Sequence, residues 1–479
     1  MKFRHYFAFF LAFLTVFALL LPVSATEEIP DEDAPIEQEP LTPYIFSTDL
    51  TVRAKAAMLI ELNSNTLIYE YQKDLKLFPA SLTKIMTCIL AIEHGDLDAV
   101  LTVSETALQN LSEFGSTAGL KQGEQLTLND LLYCIMISSA NEGCNVIAEH
   151  ISGDVSSFVA LMNKQAKRLG MNSTHFANAH GLHNENHYTT AYDLSLLARW
   201  AWQNETFRQY ATATSYVVPA TNLSGERTLY TTNYLTSTDV DSKYYYSYAS
   251  GIKTGFTTPA GGCLISTASN NGMDLLSIVM GCSPQTADNG EFGDERFVET
   301  KKLFRYGLEN ISFVQVLSEA KMADMPNVLY ADGRDTIVVR SAENRTVLLP
   351  AGCTAADIQT SVSYTTAPLQ APLDEGQEVG IVTAYYNGQP VASAPAVCVT
   401  AVDRLKEEHP TQPQLTQTVP EVADDTKSWF SEYWYLSLPI LIVALLLILL
   451  IILRTINIRK AKKRAAARRR NAERRRPRG

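Results

Sequence analysis

Cysteine is scarce and irregularly spaced in this chain of 479 residues. The seven cysteines include no C-x-x-C pair, which argues against a zinc site and against a dense disulfide framework. Their odd number leaves any pairing unassigned. Cys88 and Cys134 fall on apolar helical faces, so both are predicted to be buried thiols.

Positive charge is also scarce, except at the C-terminus. Residues 26–453 carry 25 Lys and Arg against 50 Asp and Glu, whereas residues 454–479 carry 13 against one. An acidic body argues against nucleic acid as the main partner. The basic tail is better explained by membrane topology, with a nucleic-acid-binding arm as the alternative.

The N-terminus has the pattern of a secretory signal peptide over residues 1–25. Lys2 and Arg4 precede an apolar run, and residues 23–25 (Val-Ser-Ala) form a small-x-small cleavage site. An uncleaved N-terminal anchor is the alternative. Either segment places the body on the far side of a membrane.

A second apolar stretch predicts a transmembrane helix over residues 433–454. Its uncharged part, 436–453, would be about 27 Å long as a helix, close to the thickness of a bilayer's hydrocarbon core. The basic tail, 455–479, follows it directly. By the positive-inside rule the tail is cytoplasmic and the body extracellular, so the cell membrane is a predicted partner.

Composition divides the body into four further segments. Residues 26–43 are acidic and proline-rich, which is typical of a disordered spacer. Residues 44–311 mix helical and strand patterns and form a predicted catalytic domain. Residues 312–402 show only short strands and turns, which predicts a small β-sandwich. Residues 403–432 are a polar linker to the membrane.

The order of secondary structure in the larger domain predicts an α+β fold. A β-hairpin is expected over 57–71, helices between residues 81 and 203, and strands from residue 251 to 281, so the sheet is completed late. A helix over 293–308 closes the domain. Residues 205–250 contain few apolar runs and are expected to be irregular.

One helix carries a Ser-x-x-Lys motif, Ser81 to Lys84. Apolar residues recur along it at helical spacing, so one stripe faces a core. Ser81 and Lys84 are three residues apart and share a face of the helix. A partly buried lysine with a lowered pKa can deprotonate a serine hydroxyl. A helix cap and a solvated lysine are the simpler alternative, and Ser318-x-x-Lys321 repeats the spacing by chance.

Two further motifs follow in order. Ser139-x-Asn141 lies on a predicted turn between helices, and residues 253–255, Lys-Thr-Gly, begin a late strand. For Lys253 the simpler interpretation is an exposed strand lysine. In this order and context, the three motifs resemble those of the penicillin-recognising serine acyl-transferases.

The resemblance narrows to the low-molecular-mass penicillin-binding proteins that are serine D-Ala-D-Ala carboxypeptidases. It covers about residues 50 to 402 and implies a penicillin-binding-protein/β-lactamase-like catalytic domain, an antiparallel sheet with a helical cluster. The β-rich domain and the C-terminal membrane anchor also resemble that family. The matching runs are 78–87, 174–176, 180–182, 188–194 and 251–257.

The resemblance implies roles for the first two motifs. Ser81 would attack the carbonyl of the penultimate D-Ala of a peptidoglycan stem peptide, and Lys84 would accept its proton. Ser139 would relay a proton to the leaving D-Ala. Asn141 would hold the substrate amide and Lys84.

The third motif would bind the substrate's end. Lys253 would meet the terminal carboxylate, Thr254 would hydrogen-bond it, and Gly255 would allow close approach. The backbone N–H groups of Ser81 and Phe256 would form the oxyanion hole. The resemblance implies β-lactam antibiotics as covalent inhibitors and calls for no metal or organic cofactor.

Three segments depart from the family's pattern. The C-terminal anchor is a predicted spanning helix, whereas many relatives use an amphipathic one. His183 stands where related sequences often carry an acid, and with His180 and His187 it forms a histidine-rich loop. Such histidines are usually solvated, with a metal site as the alternative. Residues 244–248 (Tyr-Tyr-Tyr-Ser-Tyr) are a candidate for lining the cleft, with surface packing as the alternative.

Three other functions stay open at this point. A class A-type β-lactamase needs a carboxylate base in a Glu-x-x-Leu-Asn context, and residues 150–195 contain none. A penicillin-sensing or wall-binding protein would not require an intact motif set. Endopeptidase action on cross-links cannot be separated from carboxypeptidase action by sequence.

Overall fold

The computed structural model describes residues 34–109, 111, 115–241, 243–283 and 294–405. The predicted signal peptide, transmembrane helix and basic tail, and nearly all of the predicted linker, lie outside these residues. Within the described part of the chain, no helix is both long and apolar enough to cross a membrane.

The structure contains a six-stranded sheet, a group of helices and a β-rich C-terminal part, as the sequence predicts. The strands are β1 (Thr42–Pro43), β2 (Ala56–Glu61), β3 (Thr66–Tyr71), β4 (Val100–Thr102), β5 (Gln125–Thr127), β6 (Ser215–Val218), β7 (Arg227–Tyr230), β8 (Ala249–Thr257), β9 (Gly261–Asn270), β10 (Met273–Cys282), β11 (Ile311–Leu317), β12 (Met322–Asp324), β13 (Val328–Leu329), β14 (Val339–Ser341), β15 (Arg345–Pro350), β16 (Ile358–Tyr364), β17 (Leu369–Gln370), β18 (Glu378–Tyr386) and β19 (Gln389–Cys398). The helices are α1 (Lys84–His94), α2 (Leu128–Met136), α3 (Asn141–Ser152), α4 (Val155–Arg168), α5 (Ala191–Gln203), α6 (Glu205–Thr212), α7 (Thr238–Asp241) and α8 (Glu295–Asn310).

The large sheet is completed late in the chain, which confirms the α+β prediction. Its strand order is β1-β3-β2-β10-β9-β8. The predicted hairpin is β2 and β3, and β10 pairs with β2 in antiparallel register, Ile278 opposite Met58. Strands β2 and β10 are almost fully buried, because helices cover the sheet. This arrangement puts β8 at one edge.

Helix α1 lies in the middle of the helical group. Residues 84–91 are all buried, so the helix is enclosed by its neighbours rather than lying on the surface. Its apolar residues pack with those of α2, α3 and the sheet in one core. Cys88 and Cys134 are both fully buried there, as predicted. A helix enclosed in this way holds its first turn in a fixed position.

The β-rich part has a core of its own. Its five-stranded sheet has the order β12-β14-β19-β18-β16. Apolar residues from 314 to 402 form a separate buried cluster, which includes Val339, Val382 and Ala396. The second Ser-x-x-Lys, starting at Ser318, follows β11 on the exposed surface of this part, far in sequence from the other motifs.

The expectation that residues 205–250 are irregular is wrong. They form helices α6 and α7 and the hairpin of β6 and β7. Each element buries few side chains: in the hairpin only Val218 and Leu229 are buried. With so few buried apolar residues, the sequence shows neither the helical nor the strand periodicity of hydrophobic residues. Packing against the rest of the domain stabilises these elements.

Helix α2 begins with a capping box formed by Thr127 and Asp130. The Thr127 hydroxyl accepts from the Asp130 N–H, and the Asp130 carboxylate accepts from the Thr127 N–H. These bonds satisfy two of the backbone groups left unpaired at a helix N-terminus. They also fix the start of the helix that leads to Ser139.

We expect Thr127→Ala to lower the free energy of unfolding by about 1 kcal/mol, because the first turn of α2 loses its cap. Thermal unfolding should shift down by about 2–4 °C. Thr127→Ser keeps the hydroxyl and is the matched control. Equal melting temperatures for the alanine variant and the wild type would contradict the cap's contribution.

Candidate active site

Ser81 lies in a 3-10 turn, residues 80–83, that runs directly into α1. The helix proper begins at Lys84 rather than at Ser81. Ala80, just before the serine, has a φ of +49°, a left-handed conformation that is uncommon for any residue but glycine. The turn brings Ser81 and Lys84 together, with 2.9 Å between Oγ and Nζ.

Lys84 is fully buried, and each of its ammonium protons has an acceptor. Its Nζ donates to Ser81 Oγ, to Asn141 Oδ1 at 2.8 Å and to the His180 carbonyl oxygen at 2.6 Å. Burial lowers the pKa of Lys84 to about 8, although Cys144 and Glu142 act in the opposite direction. An amine that loses its proton near neutral pH, and touches a serine hydroxyl, can act as a general base.

The second motif lies on the turn between α2 and α3. Asn141 is the first residue of α3, and its backbone N–H donates to the Ser116 carbonyl oxygen. Ser139 has a φ of +62° and is nearly buried. The sharp turn places Asn141 on Lys84 and leaves Ser139 in the wall of the cleft.

The third motif lies on the edge strand β8, packed against the Ser81 turn. A Cβ on Gly255 would lie 3.1 Å from the Ser81 backbone nitrogen, so glycine allows the close contact. Thr254 faces the cleft and exchanges a hydrogen bond with Thr232. Phe256 is half-exposed at the rim.

Lys253 is 1% exposed, so the alternative of an exposed strand lysine is wrong. Its Nζ donates to the Thr254 carbonyl oxygen at 3.2 Å, and it lies behind the residues that line the cleft. Burial lowers its pKa well below the ordinary value, and the nearby Lys84 charge lowers it further. The first and third motifs thus bring two buried amines to one site.

These motifs meet at a cleft of about 960 Å³. None of the described residues that line it is an aspartate or a glutamate. Its lining is made by Ser81, Leu111, Gly115, Ser116, Ser139, Asn141, Gly181, Leu182, His183, Thr232, Tyr234, Thr254, Gly255, Phe256, Thr257, Thr258, Pro259 and Arg296.

Sequence reasoning missed Arg296, a cation in the cleft wall. Its guanidinium donates to the Gly255 carbonyl oxygen at 2.9 Å and is paired with Asp294. No local motif marks it, because it comes from α8, about 40 residues after the Lys-Thr-Gly motif. It adds a positive charge beside Thr254 and Gly255.

Residues 244–248 were a candidate for lining the cleft, but Tyr244 does not line it. Tyr244 is buried and packs on Phe297, with 5.2 Å between the ring centroids. Tyr234, in the segment expected to be irregular, lines the cleft instead.

The histidine-rich loop supports the site with backbone contacts. The expectation of solvated histidines is wrong for His180 and His187, which are buried because each Nδ1 accepts from a backbone N–H, of Leu182 and Ala177 respectively. Burial lowers both pKa values to about 3, so both rings are neutral. His183 is exposed at the cleft and pairs with Glu185. Among the described residues, no three His, Cys, Asp or Glu side chains converge as metal ligands.

Comparison with known proteins identifies the family. Residues 43–284 match the family model described as D-alanyl-D-alanine carboxypeptidase, peptidase family S11. The chain belongs to the D-alanyl-D-alanine carboxypeptidase family. Residues 327–404 match the model of the C-terminal domain of penicillin-binding protein 5. The resemblance to the low-molecular-mass penicillin-binding proteins is therefore confirmed. The prediction of a β-rich domain after the catalytic domain is confirmed as well.

Curated relatives and solved structures resemble the chain over most of its length. The carboxypeptidase DacF of Bacillus subtilis is 28% identical over 352 residues, covering 73% of this chain and 86% of the relative. DacC of Escherichia coli is 28% identical, covering 75% and 88%. Penicillin-binding protein 5 of Haemophilus influenzae is 26% identical with a TM-score of 0.54, covering 75% of this chain and all of that one. DacD of Francisella tularensis is 25% identical with a TM-score of 0.56, covering 77% and 97%.

We expect Gly181→Ala to lower the rate at which the protein is labelled by a penicillin by at least about 100-fold, because small displacements of reacting groups have effects of this size. A Cβ at this position would lie 1.9 Å from the Ala80 carbonyl oxygen, and backbone atoms cannot move aside freely. Labelling by a fluorescent penicillin measures the rate.

Gly170→Ala is the matched control for this substitution. Gly170 has a similar φ of +77°, against +91° for Gly181, but no atom lies within 4 Å of its Cβ position. It therefore imposes the same kind of backbone strain without the clash. Equal labelling rates in the two variants would contradict the steric argument.

Proposed function

We propose that the protein removes the terminal D-Ala from peptidoglycan stem peptides through an acyl-enzyme on Ser81. A serine-type D-Ala-D-Ala carboxypeptidase is the enzyme class of the family to which the chain belongs. The observation that carries the assignment to Ser81 is its contact with the buried Lys84 amine, at 2.9 Å, within the cleft.

Acylation follows from the contacts of Lys84. The neutral amine accepts the Ser81 proton as Oγ attacks the carbonyl carbon of the penultimate D-Ala. The backbone N–H groups of Ser81 and Phe256 stabilise the oxyanion. As the C–N bond to the leaving D-Ala breaks, Ser139 gives its hydroxyl proton to the departing amine and takes in its place the proton that Lys84 accepted, while Asn141 holds Lys84 and the substrate amide.

The substrate's terminal carboxylate is bound at β8. Thr254 offers a hydroxyl in the cleft, and Gly255 lets the strand lie against the Ser81 turn. Lys253 lies behind the wall, where the substrate's carboxylate would favour its charged form, and Arg296 supplies positive charge from the cleft itself. An acidic protein thus presents positive charge where the substrate is anionic.

Deacylation needs a group that activates water. Lys84 lies within hydrogen-bonding distance of Ser81 Oγ and is the base we propose for this step. β-Lactam antibiotics, which resemble the D-Ala-D-Ala end, would form long-lived adducts with Ser81. The reaction as proposed uses no metal or organic cofactor.

The relatives are D-alanyl-D-alanine carboxypeptidases, and this chain would act on the peptidoglycan of the cell wall. We place the boundary between its catalytic and β-rich domains at residues 311–312, and α8 ends at Asn310. A cleaved signal, the linker 403–432 and the span 433–454 would hold both domains outside the membrane. The proposed span and tail rest on the sequence pattern alone.

Ser81→Ala should abolish the release of D-Ala from a diacyl-Lys-D-Ala-D-Ala peptide, because no nucleophile remains. Mass spectrometry of penicillin-labelled protein should place the adduct on the peptide that contains Ser81. Ser318→Ala, in the second Ser-x-x-Lys, is the matched control and should keep full activity.

Each alternative function has its own outcome in this experiment. Wild-type protein that binds penicillin but releases no D-Ala would be a sensor. Rapid turnover of penicillin would indicate a β-lactamase.

The acylation rate should rise about tenfold per pH unit below pH 8 and level off above it, because only the neutral Lys84 amine accepts a proton and its pKa is about 8. Lys84→Arg keeps the charge but removes the base, and should lower the rate by about 10²–10⁴-fold. Stopped-flow labelling from pH 6 to 10 measures the profile. A rate that rises only near pH 10 would exclude a lysine base with a lowered pKa.

A further inference from the structure

The carbonyl group of Ala80, next to the nucleophile, is held by a buried chain of hydrogen bonds. The Thr83 hydroxyl donates to the Ala80 carbonyl oxygen at 2.8 Å. His187 Nε2 lies 2.8 Å from the same hydroxyl, and His187 Nδ1 accepts from the Ala177 N–H at 3.0 Å. Thr83 is fully buried, and His187 is 2% exposed.

The direction of each bond follows from the last one. A backbone N–H can only donate, so Nδ1 of His187 carries a lone pair and the neutral ring has its proton on Nε2. That proton is donated to Thr83 Oγ1, which leaves the hydroxyl proton for the Ala80 carbonyl oxygen. All donors in this series of hydrogen bonds therefore point towards Ala80. Hydrogen bonds connected in this way polarise one another, and each becomes stronger.

The bound carbonyl and the Ser81 N–H belong to one planar peptide group. In a trans peptide these two groups point in opposite directions. Because the Ala80 carbonyl oxygen is directed into the protein interior by Thr83, the Ser81 N–H is directed away from it. Ser81 itself lines the cleft, so this is the side on which an oxyanion would form.

The peptide group needs external support to stay in this orientation. Ala80 has a φ of +49°, which is unfavourable for a residue with a Cβ. Gly181 lies against the Ala80 carbonyl group and Gly255 against the Ser81 nitrogen, and both are so close that a Cβ would collide or be tightly confined. The two glycines limit translation of the peptide group, whereas the Thr83 bond sets its rotation.

We propose that Thr83 and His187 are positioning residues that orient the Ser81 N–H as an oxyanion-hole donor. Neither touches the substrate. They act through the Ala80 carbonyl group, by fixing its direction and by polarising the peptide group towards the cleft. The proposal rests on the proposed function, because that function makes the Ser81 N–H a donor to the oxyanion.

The test measures acylation of the full-length, detergent-solubilised protein by benzylpenicillin. Thr83→Val keeps the shape of the side chain and removes the hydroxyl. We expect the maximal acylation rate to fall by about 10- to 100-fold, less than the 10²–10³-fold lost when an oxyanion donor is removed. The dissociation constant of the first, non-covalent complex should stay within about twofold, because the oxyanion exists only after attack.

Two further variants separate hydrogen bonding from packing. Thr83→Ser restores the hydroxyl and should recover most of the acylation rate. His187→Gln keeps an N–H donor for Thr83, whereas His187→Leu removes it, so the glutamine variant should be the faster of the two.

Thr87→Val is the matched control. Thr87 is equally buried, lies one turn further along α1 and donates to the Ala179 carbonyl oxygen at 2.6 Å, away from Ala80. We expect a similar loss of melting temperature but an acylation rate within about threefold of wild type.

The outcomes keep this proposal distinct from the proposed function. If wild-type protein is not acylated at Ser81, the proposed function fails. If wild type is acylated and Thr83→Val reacts at the same rate, the positioning role is wrong. Equal losses in Thr83→Val and Thr87→Val, or a weakened non-covalent complex, would also overturn it, since they indicate a general structural effect.

Discussion

The burial of the Lys84 amine is the constraint on which the site depends. A buried ammonium group needs an acceptor for every proton, and the acceptors here are Ser81, Asn141 and the His180 carbonyl group. These come from three separate parts of the chain, so the helix start, the interhelical turn and the histidine-rich loop must converge before the lysine can be buried. The same burial lowers its pKa into the range where it can accept a proton.

The site contains a second buried amine, that of Lys253. Lys253 has a strongly lowered pKa, caused first by burial and then by the charge of Lys84. Arg296 adds a third cation in the cleft wall. A bound carboxylate would favour the charged form of the Lys253 amine, so the proposed recognition of the substrate's C-terminus would also stabilise that charge.

Close backbone packing connects these charges to Ser81. The Ala80–Ser81 peptide group lies between Gly181 and Gly255, with distances that exclude any larger side chain at Gly181. Edge strand β8 and the histidine-rich loop thus hold the turn from two sides. The polar interior behind it, Thr83 and His187, directs the same peptide group by hydrogen bonds. Steric and polar contacts act on one peptide group.

Local features were determined by the sequence itself. Three features depend only on residues a few positions apart: the β2–β3 hairpin, the Thr127 cap and the Ser81–Lys84 pairing. Local sequence patterns are therefore enough to indicate them. Tertiary structure alone decided what depends on distant segments. Lys253 is buried rather than exposed, Arg296 joins the cleft from α8, and Tyr234 lines it where Tyr244 was expected. These outcomes depend on packing between segments that are far apart in the sequence, and no local pattern in either segment indicates which other segment it will contact.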